Sequence, residues 1–180
     1  AQTLVARSAG IPPLIDAIRT SRSTPAAQEY AARALWHLAS QPENQQLITD
    51  NNGIKPLVAM LSADGDTAPE LAAVIMVRLT RANPDVSIII AEKGGVIPLV
   101  KLMSGGSPGA QQQAAAALAE LAIVCRNRDP ISNAGGIEQL IRLMSSSTVG
   151  TPASAARALA HLARDDDEEE RQRQANAKKW

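Results

Sequence analysis

Few side chains in this 180-residue sequence have types that could do chemistry: two histidines, one cysteine, a six-residue acidic run and one glycine-rich stretch. His37 and His161 occupy the same place in two related segments far apart in the chain. Packed helical layers advance by about 10 Å each, so two imidazoles set layers apart cannot share a metal, whose ligand bonds are about 2 Å long. A nucleophile–base pair needs hydrogen-bond reach, and Cys125 lies in neither histidine's segment. Its plain reading is a small buried hydrophobe near the end of a helix. The carboxylates of residues 165–170 follow one another without gaps. On a helix they point all round it and form a solvated face, not a calcium cage. Gly105-Gly106-Ser107-Pro108-Gly109 lacks the preceding strand and the lysine of a phosphate-binding loop, and reads as a flexible joint between helices. No catalytic set, cofactor site or metal site is expected.

The chemistry is therefore sought in a surface, and the elements that build one are repeated. Four segments align: Gly10-Ile-Pro-Pro-Leu-Ile-Asp-Ala-Ile18, Gly53-Ile-Lys-Pro-Leu-Val-Ala-Met-Leu61, Gly95-Val-Ile-Pro-Leu-Val-Lys-Leu-Met103 and Gly136-Ile-Glu-Gln-Leu-Ile-Arg-Leu-Met144. Their glycines step by 43, 42 and 41 residues. A second block keeps the same phase: Ala34-Leu-Trp-His-Leu-Ala39, Ile75-Met-Val-Arg-Leu-Thr80, Ala117-Leu-Ala-Glu-Leu-Ala122 and Ala158-Leu-Ala-His-Leu-Ala163. Two independent blocks on one period define a repeat protein.

Each unit reads as three helices. The glycine-led block has the stripe of a short amphipathic helix, with Pro13, Pro56 and Pro98 in its first turn, where a missing N–H costs nothing. Its glycine suits a corner needing positive φ or close backbone approach. The second block carries apolar residues at helical spacing (Ala31, Ala34, Leu35, Leu38), and Pro25, Pro69, Pro108 and Pro152 stand just ahead of it as helix starters. The apolar pairs Leu4-Val5, Leu47-Ile48 and Ile89-Ile90, and Ile131 weakened by Pro130, mark the first and shortest helix. Such units bury their faces only by stacking, and three or more are generally needed for stability. The boundaries fall at about 1–41, 42–82, 83–124 and 125–164. Residues 165–180 break the pattern, since Arg171, Gln172 and Ala177 replace the apolar pair and corner glycine. Asp167/Arg171 and Glu169/Arg173 are favourable helical pairs, so this part reads as a charged capping helix or tail, with Trp180 conspicuous on it.

Composition narrows the partners. Lys+Arg and Asp+Glu balance at 18 each, so no global field attracts nucleic acid or an anionic membrane. Aromatics are 2%, with no Phe, leaving Leu, Ile, Val and Ala to build a closely packed helical core. One cysteine fits a reducing, intracellular location, cytoplasmic or nuclear. No apolar run approaches the roughly 20 residues of a membrane span. The chain opens at Ala1, with neither Met nor a signal-like segment, as a processed form or an excised fragment would.

The period, the Gly-Gly-Val-Ile-Pro corner at 94–98 and the third-helix block resemble armadillo repeats over about residues 1–164. The resemblance implies an all-α, right-handed solenoid of four three-helix units that binds an extended peptide or protein segment along a concave groove of third helices. The family's ladder asparagine is replaced by His37, Arg78, Glu120 and His161. The tryptophan found four residues earlier in nuclear-import adaptors is replaced by Arg33, Val74, Ala116 and Arg157. Both changes speak against import-signal binding. With Tyr30, these positions make up the candidate groove. Arg33, His37 and Arg78 form a modestly basic patch suited to an acidic or phosphorylated segment, the plain alternative being solvent-facing polar residues. Trp36, large where Val77, Ala119 and Ala160 are small, reads as a packing wedge between the first and second units, the alternative being a partly exposed binding anchor. A substrate-recruiting module of a larger protein, as in some ubiquitin ligases, and a homo-oligomer built through uncapped repeat ends are the alternative functions.

Overall fold

The computed structural model describes residues 10–19 and 24–164. The expectations for Leu4-Val5, for the charged run and for Trp180 lie outside them. Eleven α-helices and no strand are present among the described residues: α1 (Ile11–Arg19), α2 (Pro25–Leu38), α3 (Pro42–Asp50), α4 (Ile54–Met60), α5 (Thr67–Ala82), α6 (Asp85–Glu92), α7 (Val96–Gly105), α8 (Pro108–Leu121), α9 (Arg128–Asn133), α10 (Gly136–Leu143) and α11 (Thr151–Leu162). None is long and apolar enough to cross a membrane.

The second, third and fourth periods each contribute a short first helix (α3, α6, α9), a second (α4, α7, α10) and a long third (α5, α8, α11). The third helices pack side by side in the order α2, α5, α8, α11, and the second helices bring up the other side of one continuous core.

The corner between first and second helices divides two demands between adjacent residues. Positive φ falls on Asn52, Gly94 and Gly135, one before the repeat glycine in each case. The repeat glycine itself has ordinary φ at Gly53 and Gly95 but is pressed against the helix it follows. Its N–H bonds a carbonyl five residues back, Gly53 to Ile48 and Gly95 to Ile90, both at 2.9 Å. A Cβ there would lie 2.7 Å from Ile48 O, or 2.6 Å from Ile90 Cγ2. The preceding residue closes a second bond, Asn52 to Thr49 and Gly94 to Ala91. Together these satisfy carbonyls that a helix end leaves orphaned.

The helix-starting prolines sit inside the first turn instead of ahead of it. Pro25 and Pro108 are the first residues of α2 and α8, Pro152 is the second of α11, and Pro69 falls within α5. Pro130 has a visible effect: the first helix of the fourth unit is reduced to a 3-10 turn, Cys125–Asn127, leading into the six-residue α9. Cys125 is thus half-buried at the start of that helix, not buried near the end of one. The glycine-rich stretch is a two-residue joint, with Ser107 Oγ accepting from Ala110 N to cap α8.

Candidate partner-binding surface

The third helices supply every residue of the candidate groove, and the structure sorts them by how tightly their helices meet. Between α2 and α5 the packing leaves a hollow of about 270 Å³, walled by Trp36, Leu71 and Val74 and rimmed by Arg33, Asp66, Thr67 and Glu70. Trp36 is partly buried against the core, and its Nε1–H finds no acceptor among the described residues. The Arg78 guanidinium lies 4.9 Å above the indole ring and donates to the Trp36 carbonyl at 3.0 Å. It is one tie between the first two units, part cation–π and part hydrogen bond. The His37 ring is 4.5 Å from the indole, centroid to centroid, and its side is exposed. Trp36 is therefore the expected wedge and a wall of the hollow as well.

The basic patch has different surroundings from those its sequence implied. Arg33 is held by Glu29, one turn back on its own helix, through bonds of 3.1 and 2.7 Å. This is an exposed pair of the kind worth about 0.5 kcal/mol. Arg78 is committed to Trp36. Tyr30 is 71% exposed and does not line the hollow.

Around α8 the surface is closed. Ala116 and Glu120 are buried, so the neutral-to-acidic stretch expected there does not line an open groove. The reason is the run Ala114–Ala117, continued by Ala119, all buried, which lets α5 and α11 approach the α8 backbone. The Glu120 carboxylate is enclosed as a result and needs compensation. Arg81 of α5 supplies it at 2.7 Å and Arg157 of α11 at 2.8 Å, both on Oε1. A single carboxylate thus links three units.

His161 sits at the edge of this cluster. Partial burial holds its pKa below the ordinary histidine value, and Arg164 and Arg157 depress it further, against a smaller opposing pull from Glu120.

A set of polar ties at the C-terminal ends of the third helices escaped the sequence reading. Asn44 Nδ2 donates to the Leu38 carbonyl, and Asn127 Nδ2 to the equivalent Leu121 carbonyl, each at 3.0 Å. Their neighbours Gln45 and Arg128 reach the next carbonyls, of Ala39 and Ala122. These side chains close the last turn of a third helix onto the following first helix. Matching Asn44 to Asn127 through two periods is the signal that would have exposed them.

Comparison with known proteins agrees with this geometry. An Armadillo/beta-catenin-like repeat model matches residues 83–123, the third unit. The chain has the fold of armadillo-repeat solenoids. Computationally designed armadillo repeat proteins for modular peptide recognition superpose with a TM-score of 0.85 at 20% identity, covering 98% of this chain and 74% of theirs. A designed armadillo repeat protein in complex with the peptide (KR)4 gives 0.83 at 20% identity over the same shares. An engineered protein gives 0.82 at 28% identity, covering 89% of this chain and 65% of that one. U-box domain-containing protein 12 of Oryza sativa subsp. japonica is 36% identical over 83 residues, 46% of this chain. The chain spans 13% of that relative's length.

Proposed function

We propose that this chain is a non-catalytic, intracellular interaction scaffold that holds an extended partner segment along its third helices, with the α2/α5 hollow as the main contact. The hollow carries the reading: it combines apolar walls with a polar rim on the third helices, and a designed armadillo repeat protein of the same fold forms a complex with a peptide. An apolar partner side chain fits between Trp36 and Val74, the arrangement that gives a few contacts most of the binding energy. The weak Glu29 pair at Arg33 can be exchanged for a partner carboxylate or phosphate beside His37, so the segment is acidic or phosphorylated next to its apolar residue. A run of cations such as (KR)4 does not suit Arg33, Arg78 and Arg157, and the adaptor-type ladder is missing, which disfavours an import-adaptor role.

The test is affinity capture with quantitative mass spectrometry, comparing the parent with Val74→Glu and Arg33→Glu. We expect Val74→Glu to lose partners retained by the parent at least tenfold, and Arg33→Glu to lose the acidic ones. Unchanged capture by both variants rejects the groove. A second reading, a substrate-recruiting module of a larger protein, is favoured by the 83-residue match to the rice U-box protein. It uses the same surface.

A further inference from the structure

A hollow of about 670 Å³ opens among first and second helices, with no third helix in its lining. Its walls are α1 of the first unit, α3 and α4 of the second and α6 of the third, so it lies along the flank of three consecutive units. Its volume falls in the range of small-ligand sites, about 300–1,000 Å³. Ile18, Ile54, Pro56 and Ile89 give it an apolar lining. Ala59 leaves the space open: the residues at its position in the other units are Asp16, Lys101 and Arg142, all longer.

Four charged residues stand at this hollow: Arg19, Lys55, Glu92 and Lys93. Arg19 is paired with Asp16, one turn back on α1. Lys55 and Lys93 are exposed, and neither ammonium group has an ion pair or a hydrogen bond among the described residues. The negative ends of α3 and α6 would attract such cations, but their last turns are already closed by backbone N–H groups of residues 51–53 and 93–95. Two unengaged ammonium groups against one carboxylate, Glu92, leave the mouth with a single positive charge over.

We propose that this hollow binds a small amphiphilic carboxylic acid, with its apolar body among Ile18, Ile54 and Ile89 and its carboxylate on Lys55 and Lys93. The single surplus charge suits a monoanion, and two compact ammonium groups hold it as point charges without the fixed fork of arginine. The apolar body leaves water on entering the lining. The head group stays at the rim, where the lysine stems lie along apolar surface and keep their charges solvated. No residue of this site belongs to the α2/α5 hollow, so the two readings stand or fall separately.

Isothermal titration calorimetry of the full chain tests it, with decanoate below its micellar concentration and decyltrimethylammonium as a tail of equal length and opposite charge. Decanoate should saturate one site, and the cation should bind about tenfold more weakly or not at all. Lys55→Gln with Lys93→Gln should weaken decanoate about tenfold and leave the cation no weaker. Ala59→Gln fills the space with a neutral side chain and should weaken decanoate by a similar factor. Position 59 is exposed and carries long side chains in the other units, so helix content by circular dichroism should match the parent. If it does not, Ala59→Leu takes its place. The proposal is overturned by the absence of saturable decanoate binding, or by equal affinity for the two amphiphiles, which would mean detergent-like adsorption. Binding that survives Ala59→Gln overturns it too. So does a protein partner captured by the parent and lost by Ala59→Gln when decanoate does not bind, since the flank would then hold a protein.

Discussion

Between α2 and α5, Trp36 walls a hollow; between α8 and its two neighbours, a run of buried alanines packs the helices so that Ala116 and Glu120 are buried. The two regions stand at equivalent positions of one repeat, on one side of one stack. In the first, the ladder-position residue Arg78 reaches back to the previous unit and leaves room for a guest. In the second, the ladder-position residue Glu120 is satisfied from both sides and accepts no one else. Helix spacing, set by side-chain volume on the facing stripe, decides whether a repeat position recognises a partner or serves cohesion.

The largest effect that would break this contrast comes from stripping Glu120 of its cations. Arg81→Ala with Arg157→Ala leaves a buried carboxylate uncompensated and should cost about 3 kcal/mol in urea unfolding. Glu120→Ala leaves only two arginines that already face water, and should cost about 1 kcal/mol. If removing the acid proves the costlier change, the closed region is held by packing of the Glu120 stem and not by its charge. Next in size, Arg78→Ala removes a hydrogen bond and a cation–π contact and should cost about 1 kcal/mol. It should also raise the exposure of Trp36, visible as a red shift in emission against a Trp36→Phe control. The smallest effect sharpens the closed region's electrostatics. The His161 pKa is lowered in the folded state, so the unfolded chain takes up a proton first as pH falls. Stability should therefore decline with acidification below about 6.5, the unperturbed histidine value. His161→Gln should flatten that part of the pH–stability curve.

The architecture was legible because its determinants are local. A corner that needs two hydrogen bonds and a missing Cβ within six residues leaves a glycine at every period, and a helix facing a core leaves its leucines in register. The surface was legible only in outline. The positions on the third helices were found, but whether Ala116 and Glu120 would be open or shut depended on how near α5 and α11 come, which no single helix records. Arg81 and Arg157 were missed as a pair for the same reason. Arg81 lies one turn after the ladder position and Arg157 one turn before it, in the units on either side of Glu120. Searching one turn each way across neighbouring units would have brought the three together. Asn44 and Asn127 needed a comparison over two periods, since the intervening unit has Val86 at that place.

The three-residue joints 51–53 and 93–95 have one more consequence. Every N–H of these joints donates to the helix just finished, while the Gly53 and Gly95 carbonyls accept from Leu57 and Leu99, equivalent residues of the helix that follows. Excising Ile54–Gly95 would join Gly53 directly to Val96, and α3 would hand over to α7 through a turn already built. Chain length can accordingly change by whole periods while every turn keeps its form, so the number of units is a quantity this architecture leaves free to vary.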